Sequence, residues 1–479
     1  MSPSPSPYPQ VVVALIDVPE IADELGERFA AAGHALHLVG GPVRDALLAR
    51  IGGRPRRTDD LDLTTDARPQ RVLELLAGWA EATWTTGIEF GTVGATRDGL
   101  RLEITTYRAD RYDRVSRNPA VEYGESLEAD LGRRDFTVNA MALSVPGHVF
   151  TDPYGGLADL RAGRLRTPAT PAESFADDPL RMLRAGRFVA QLGFRPDPEV
   201  VRAMTGMADR IGMVTAERVQ VELSKLLLGD APRAGLELLV HTGLADHMLP
   251  ELSALRMEID EHHQHKDVYA HSLTVLEQAI ELETEPDLVL RMAALLHDIG
   301  KPATRRNEPD GRVSFHHHEV VGAKLARKRL RALRYSKDLV EEVAQLVYLH
   351  LRFHGYGRGE WTDTAVRRYV TDAGPLLDRL HKLVRSDCTT RNKRRAEALA
   401  RSYDTLEARI AELRAQEELD RIRPDLDGNE IMSLLDIRPG PLVGRAYQHM
   451  LALRMERGPL PHDEAVAELR RWAADNDLT

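Results

Sequence analysis

The side-chain period changes once along this chain, and that change limits the folds open to it. Ahead of Pro171, short apolar segments alternate with polar residues and are broken by glycine. Residues 35–39, 61–64, 91–96 and 101–106 read as strands, and residues 21–33 as a helix ending at Gly33. From Pro171 onward the apolar spacing is helical almost throughout. The stretch PAESFADDPLRMLRAGRFVAQLGF predicts a helix with Asp178 as N-cap and Pro179 in its first turn, and TAERVQVELSKLLLG predicts another ending at Gly229. The first part is therefore expected to be α/β or α+β, and the rest all-helical.

A chain of 479 residues divides into roughly three or four domains. With 43% hydrophobic and 29% charged residues it can bury substantial cores as a soluble protein. No apolar run approaches the roughly 18 residues of a membrane helix, and no signal segment opens the chain, so a cytoplasmic protein without a membrane partner is expected. The opening MSPSPSPYPQ reads as a disordered tail. A single cysteine, Cys388, excludes an intramolecular disulfide and fits a reducing compartment. The net charge of −10 argues against whole-surface nucleic-acid binding but leaves room for a local basic patch. Lys324, Arg327, Lys328, Arg329, Arg331, Arg334 and Lys337 follow one another with no acid between, and RNKRRAEALAR (391–401) is a second candidate.

Two chemical constellations stand out. In the first, GGPVRD is followed by DLDLTT. Asp60 and Asp62 are two apart, so on a strand both carboxylates project from one face and can hold two magnesium ions about 4 Å apart. Gly40 and Gly41 open a helix whose first N–H groups form an anion site, with Arg44 one turn in. Glu103, alternating with Leu102 and Ile104, is a candidate third carboxylate. Each piece alone is commonly a solvated turn or a surface ion pair; a phosphate cradle beside a metal pair implies phosphoryl or nucleotidyl transfer.

In the second constellation, eight of the 18 histidines lie between residues 262 and 318, which marks a separate metal-handling unit. His297 and Asp298 are adjacent in LLHDIGKP, and His271 lies on an earlier helix. Imidazoles with carboxylates suit a divalent transition metal or magnesium at a hydrolytic site. His262, His263 and His265 are read as ordinary histidines, whereas His318 and His350 are candidates for a second metal.

The strings GGPVRD, DLDLTT, EITTYR, RRDFTVNAMA, DPYGGLADL, ADDPLRMLRAGRF and ERVQVELSKLL occur in that order. This succession resembles the superfamily of class II tRNA nucleotidyltransferases and bacterial poly(A) polymerases, and HSLTVLEQA, LHDIGKP and HHHEVVGAKLA resemble an HD domain. The resemblance implies an α+β fold: a polymerase beta-like nucleotidyltransferase head with a mixed sheet, then an all-α neck, an HD domain and a C-terminal helical region. The expected boundaries are 1–20 for the tail, 21–168 for the head, 169–250 for a base-selecting and RNA-binding neck, 251–395 for the HD domain and 396–479 for the C-terminal RNA-binding region.

By the same resemblance Asp60 and Asp62 bind the catalytic metals, and Gly40, Gly41 and Arg44 contact the triphosphate. Arg134, Asp135 and Asn139 line the nucleotide's sugar and phosphates. Asp178 and Arg181 read the base edge, where a carboxylate accepts from an exocyclic amine and a guanidinium donates to ring acceptors. Three residues apart, they are expected on one helical face. The family has Glu-Asp where this chain has Asp177-Asp178. Arg184 and Arg187 continue a basic stripe toward the substrate. His271, His297, Asp298 and Asp387 are the implied HD ligands for a divalent metal, and such domains hydrolyse phosphate esters, including cyclic phosphates at damaged RNA ends. The region near RPDLDGNEIMSLLDIRPGPLVG resembles the C-terminal region of HD-containing members.

The expected activity is addition of C, C and A to the tRNA 3′ end from CTP and ATP, with magnesium in the head and pyrophosphate released. The long segment RADRYDRVSRNPAVEYGESLEADLG favours full CCA over CC addition, because the family shortens it in CC-adding members. The alternatives are an A-adding enzyme, a poly(A) polymerase and an HD phosphohydrolase with a vestigial head. An alarmone synthetase–hydrolase joins the same domain types in the opposite order. A pure RNA-binding scaffold needs neither metal constellation.

Overall fold

The computed structural model describes residues 16–51, 60–108, 123–124, 126–257, 267–310, 313–353, 362–389, 392–417 and 422–476. The Pro/Ser-rich tail, most of the long segment after EITTYR, and His262, His263 and His265 lie outside the described residues. The chain divides into two compact units, Met1–Met248 and Leu249–Thr479. Among the described residues no helix is long and apolar enough to cross a membrane.

The first unit is built on seven strands: β1 (Leu36–Val39), β2 (Asp60–Thr65), β3 (Ala82–Trp84), β4 (Thr92–Arg97), β5 (Leu100–Thr106), β6 (Ala142–Ser144) and β7 (Phe150–Thr151). They form one sheet in the order β3-β4-β5-β2-β1-β6-β7. β2 and β5 run parallel and every other neighbouring pair is antiparallel, which is the mixed sheet the sequence leads one to expect. Alternation decides the faces: Leu61, Leu63, Leu102 and Ile104 are buried, while Asp60, Asp62, Arg101 and Glu103 point the other way. The parallel register sets Asp62 opposite Glu103.

Helices α1 (Glu20–Ala31), α2 (Gly41–Arg50), α3 (Pro69–Leu76), α4 (Leu127–Gly132) and α5 (Gly156–Ala162) accompany the sheet. The helical remainder of this unit includes α6 (Pro171–Asp177), α7 (Leu180–Leu192), α8 (Pro198–Met207), α9 (Ala216–Leu227), α10 (Pro232–His241) and α11 (Leu244–Met248). The stretch from Pro171 forms two helices, with the start expected at Asp178-Pro179 marking the second. Pro179 lacks an N–H and disfavours helical backbone at the preceding residue, so the chain breaks at Asp178, which is extended at φ −143° and ψ 101°. Asp178 still caps, because its Oδ1 accepts from Leu180 N at 3.1 Å.

The second unit is helical. Its central helix, Leu288–Leu296, buries every residue from Val289 to Leu296; all are apolar but Arg291, whose charge is met by Glu283 at 2.8 Å. The helices Val268–Glu281, His318–Ala332, Lys337–Leu349 and Leu377–Ser386 belong to the same unit. Further on, Gly428–Leu435, Pro441–Arg457 and His462–Asp475 close a small core around Leu426, Ile431, Met450 and Leu469. The charged residues that include the second basic candidate continue as the helix Lys393–Gln416. In the basic run, Arg327 and Arg331 share Glu341, and Arg329 pairs with Glu251.

Candidate functional site

Asp60 is exposed and Asp62 half-buried at the start of β2, with exposed Glu103 beside them on β5. Burial lifts the Asp62 carboxyl above its ordinary range; Arg134 acts against the rise, while Glu103 and Asp60 add to it. Arg101 approaches Asp60 only to 3.8 Å, with both side chains well exposed. Three carboxylates on neighbouring strands offer hard oxygen donors, the kind a magnesium ion takes.

The glycine turn lies against this set. Gly40 adopts φ 71° and ψ −130°, and a Cβ there would stand 3.3 Å from Arg134 Nη1 and 3.4 Å from Asp62 Oδ2. Glycine therefore meets both a left-handed backbone and a close approach. Helix α2 begins at Gly41; Pro42 has no N–H and Arg44 N bonds Gly40 O, which leaves the N–H groups of Gly41 and Val43 without a partner inside the helix. Groups of this kind could receive an anion beside Asp62.

Arg44 turns inward from this helix start. Its guanidinium donates to both oxygens of Asp45, at 2.7 and 2.9 Å, and to Asn139 Oδ1 at 2.7 Å. Asn139 Nδ2 donates to Asp135 Oδ1 at 2.9 Å, and Arg184 grips Asp135 Oδ2 at 2.7 and 2.6 Å. Arg184 and Arg187 both reach Glu222 Oε1, at 3.2 and 3.1 Å. Burial opposes the charge on Asp135, but Arg184 and Asn139 hold its carboxyl well below the usual range. The structure thus joins Arg44, Asp135, Asn139, Arg184 and Arg187 in one buried polar chain running from α2 to α9. The basic stripe expected at Arg184 and Arg187 is a paired network, because the side of α7 that carries them meets Glu222. Arg134 reaches Asp130 at 3.4 Å and keeps a buried Nε without a hydrogen-bond partner.

Asp178 and Arg181 take separate partners. Arg218 of α9 donates to Asp178 Oδ2 at 2.7 Å, while Arg181 donates to Ser174 Oγ at 2.9 Å and to the Arg133 carbonyl at 2.5 Å. The break at Pro179 separates their directions despite the three-residue spacing. Glu222 and Arg218 were not among the residues singled out from sequence. Glu222 had a signal: it is a lone acid among Val219, Leu223, Leu226 and Leu227 on the buried face of α9.

In the second unit, a histidine–aspartate centre forms where five segments meet. His271 lies on Val268–Glu281, His297 and Asp298 directly follow Leu288–Leu296, and His318 starts the helix His318–Ala332. His350 and Asp387 follow Lys337–Leu349 and Leu377–Ser386. His271 Nε2 is 3.3 Å from His297 Nε2, 3.5 Å from Asp298 Oδ2 and 3.0 Å from Asp387 Oδ1. His297 Nε2 is 3.3 Å from Asp298 Oδ2. Burial opposes a proton on His297, but Asp298 and Asp387 raise its pKa to about 9, so this nitrogen faces a site that favours a cation. Lys301 Nζ, one turn on, holds Asp298 Oδ2 at 2.6 Å. Gly300 allows the approach of the His318 helix, since a Cβ there would stand 2.1 Å from His318 O. Of the run 316–318 only His318 turns inward; His316 and His317 are exposed.

The fold and site together define a nucleotidyltransferase head followed by helical RNA-binding and HD parts. Family models match in that order: a poly A polymerase head domain at 36–166, a probable RNA and SrmB-binding site of polymerase A at 193–255, and an HD domain at 268–413. The chain is 35% identical over 444 residues to the CC-adding tRNA nucleotidyltransferase of Thermus thermophilus, covering 91% of this chain and 93% of that one. It is 36% identical over 358 residues to the A-adding tRNA nucleotidyltransferase of Deinococcus radiodurans, covering 73% and 80%. With the CCA-adding enzyme of Levilactobacillus brevis it shares 38% over 273 residues, 55% of this chain and 65% of that enzyme. The fold matches that of Bacillus stearothermophilus CCA-adding enzyme in complex with CTP, with a TM-score of 0.69 at 22% identity over 96% of this chain and 99% of that one. The chain belongs to the tRNA nucleotidyltransferase family and is a nucleotidyltransferase, as its motifs imply.

Proposed function

We propose that this enzyme adds C, C and A in turn to the 3′ end of tRNA in the cytoplasm, using CTP and ATP and releasing pyrophosphate. The observation that carries the reading is the contact of the Gly40 turn with Asp62 and Arg134, which sets a phosphate cradle beside a carboxylate group in need of a cation. Asp60 and Asp62, with Glu103 beside them, would hold divalent ions; bound there, these lower the pKa of the attacking hydroxyl and neutralise charge on the leaving pyrophosphate. The chain's own groups do the rest. Gly40 and Gly41 offer backbone N–H groups to the triphosphate and Arg134 a cation, while the Arg44–Asn139–Asp135 chain holds the sugar-facing wall rigid. Asp178 and Arg181 select the base, and each is oriented by its own partner, Arg218 or Ser174. In the second unit His271, His297, Asp298 and Asp387 would hold one divalent cation for phosphoester hydrolysis.

A second reading, that the enzyme adds only part of CCA, is favoured by its long alignments with a CC-adding and an A-adding relative. Incorporation into tRNA transcripts ending before CCA, after C and after CC decides between them. Two cytidines, one adenosine and a stop are expected. Adenosine on the CC transcript alone, cytidines alone, or long adenosine tails would each replace this reading.

A further inference from the structure

We propose that Trp84 and Arg101 bind the single-stranded 3′ end of the tRNA, a base stacking on the indole and a phosphate pairing with the guanidinium. This rests on the reading of Asp60, Asp62 and Glu103 as the metal-holding group and of the Gly40 turn as the seat of the triphosphate. Strand register sets the two side chains beside that group. Trp84 on β3 lies opposite Gly94 on β4, Gly94 opposite Glu103 on β5, and Glu103 opposite Asp62 on β2. Directly opposed residues share a face, so these four form one row across the face that carries the carboxylates. In the next row Arg101 lies opposite Asp60, with its guanidinium 5.3 Å from the centroid of the Trp84 indole.

The core of the head, with Leu61, Leu63, Leu102 and Ile104, lies on the opposite face of the sheet, so the half-buried indole is no part of it. Gly94 makes room for the ring: a Cβ there would stand 1.9 Å from Trp84 Cε2 and 2.2 Å from Nε1. The indole therefore lies over β4, leaning from the edge strand toward the carboxylates. Arg101 comes no nearer to Asp60 than 3.8 Å, and ions held by Asp60 and Asp62 would repel it. A guanidinium beside such ions is stable where an anion lies between them. In-line transfer decides which anion. The attacking hydroxyl and the leaving pyrophosphate stand on opposite sides of the α-phosphate. The Gly40 turn meets Asp62 from the β1 side, so the attacking strand enters from the β5 side, across Glu103. That is where Trp84 and Arg101 lie. A 3′ end arriving there brings an unpaired base with a π-face and a phosphate, the two groups these side chains bind. Two strand spacings, about 10 Å, separate the Trp84 backbone from that of Glu103, so the base on the indole is one of the last two of the strand.

The test uses the full chain with a tRNA transcript that the parent extends and the matching nucleotide. Trp84→Leu and Arg101→Gln should each raise KM for the transcript about tenfold, within the worth of one base–aromatic stack or phosphate contact, and leave KM for the nucleotide unchanged. Trp84→Phe should recover most of the loss. In filter binding, Arg101→Gln should flatten the slope of log Kd against log salt by about 0.7, one phosphate of a single strand, and Trp84→Leu should not. 2-Aminopurine in place of each of the last two residues should lose emission on the parent at one of the two positions and keep it on Trp84→Leu. An unchanged transcript KM in either variant, or equal emission on parent and Trp84→Leu, overturns the site. A rise in the nucleotide KM instead gives the indole to the incoming base and also overturns it. A parent that extends no transcript removes the reading of the carboxylates, and this site with it. Should Trp84→Leu fail to fold by circular dichroism, Arg101→Gln, Trp84→Phe and the parent's emission still decide.

Discussion

Asp62 keeps its carboxylate beside Asp60 and Glu103 and half-buried, so its charge is uncomfortable until a cation joins it. Replacing Asp60 or Asp62 by alanine should lower incorporation of both CTP and ATP about 10³-fold, since metal stabilisation of transferring phosphoryl charge is worth several kcal/mol. tRNA binding in a filter assay should stay nearly unchanged; its loss would contradict the metal role. At Asp178 the expected effect is on choice. Arg218→Ala removes the 2.7 Å ion pair that aims the carboxylate and should relax CTP/ATP discrimination roughly tenfold, the worth of one charge-assisted hydrogen bond. Unaltered selectivity in single-turnover competition would refute it. His37 offers a pH prediction. Burial is the main cause that lowers its pKa to about 4, against the pull of Asp66 and Asp130, and Tyr107 Oη lies 2.9 Å from its Nδ1. The unfolded chain therefore takes the proton first as pH falls. The contribution is whole above pH 6.5 and drains away toward pH 4, with about 2 kcal/mol lost by pH 5. Urea midpoints of the first unit at pH 7.5 and 5.0 should show this, and His37→Gln should flatten the difference.

Between elements, the joint that matters most is α7 against α9. Glu222 receives Arg184 and Arg187 together, and through Arg184 the tie continues to Asp135, Asn139 and Arg44 on α2. Glu222→Gln leaves two guanidinium groups facing a neutral amide in a buried setting. It should cost about 3 kcal/mol in urea unfolding of the first unit, the penalty of breaking a buried pair from one side. It should also lower turnover with both nucleotides equally, since the wall it braces serves both. A variant as stable as the parent would show that water or another group already relieves the arginines. The break at Asp178-Pro179 is likewise an element-scale device: it frees Asp178 to face Arg218 while Arg181 points into α6 and the Arg133 carbonyl.

At the scale of the molecule, the two units answer to different chemistry. The centre of His271, His297, Asp298, His318, His350 and Asp387 draws its side chains from five segments of the second unit, so a cation bound there would tie those segments together. Chelation should lower the melting transition of the second unit by the equivalent of about 2–3 kcal/mol and leave the first unit's transition in place. Scanning calorimetry with and without chelator checks this, and a shift confined to the first unit would refute it. Much of this architecture was legible beforehand. The alternation of Leu61 and Leu63 with Asp60 and Asp62, the glycines of GGPVRD and the change to helical spacing at Pro171 are local signals, and local signals are written in neighbouring residues. By themselves they determined an α/β or α+β first part, the helical parts behind it and the two groups of chemical residues; the mixed sheet was an implication of the family resemblance. Which donor meets which acceptor was a tertiary decision. Arg44 finds Asn139 across 95 residues and His271 finds Thr389 across 118. Such pairings depend on how buried surfaces of distant elements pack, and no period or spacing along the chain encodes that directly.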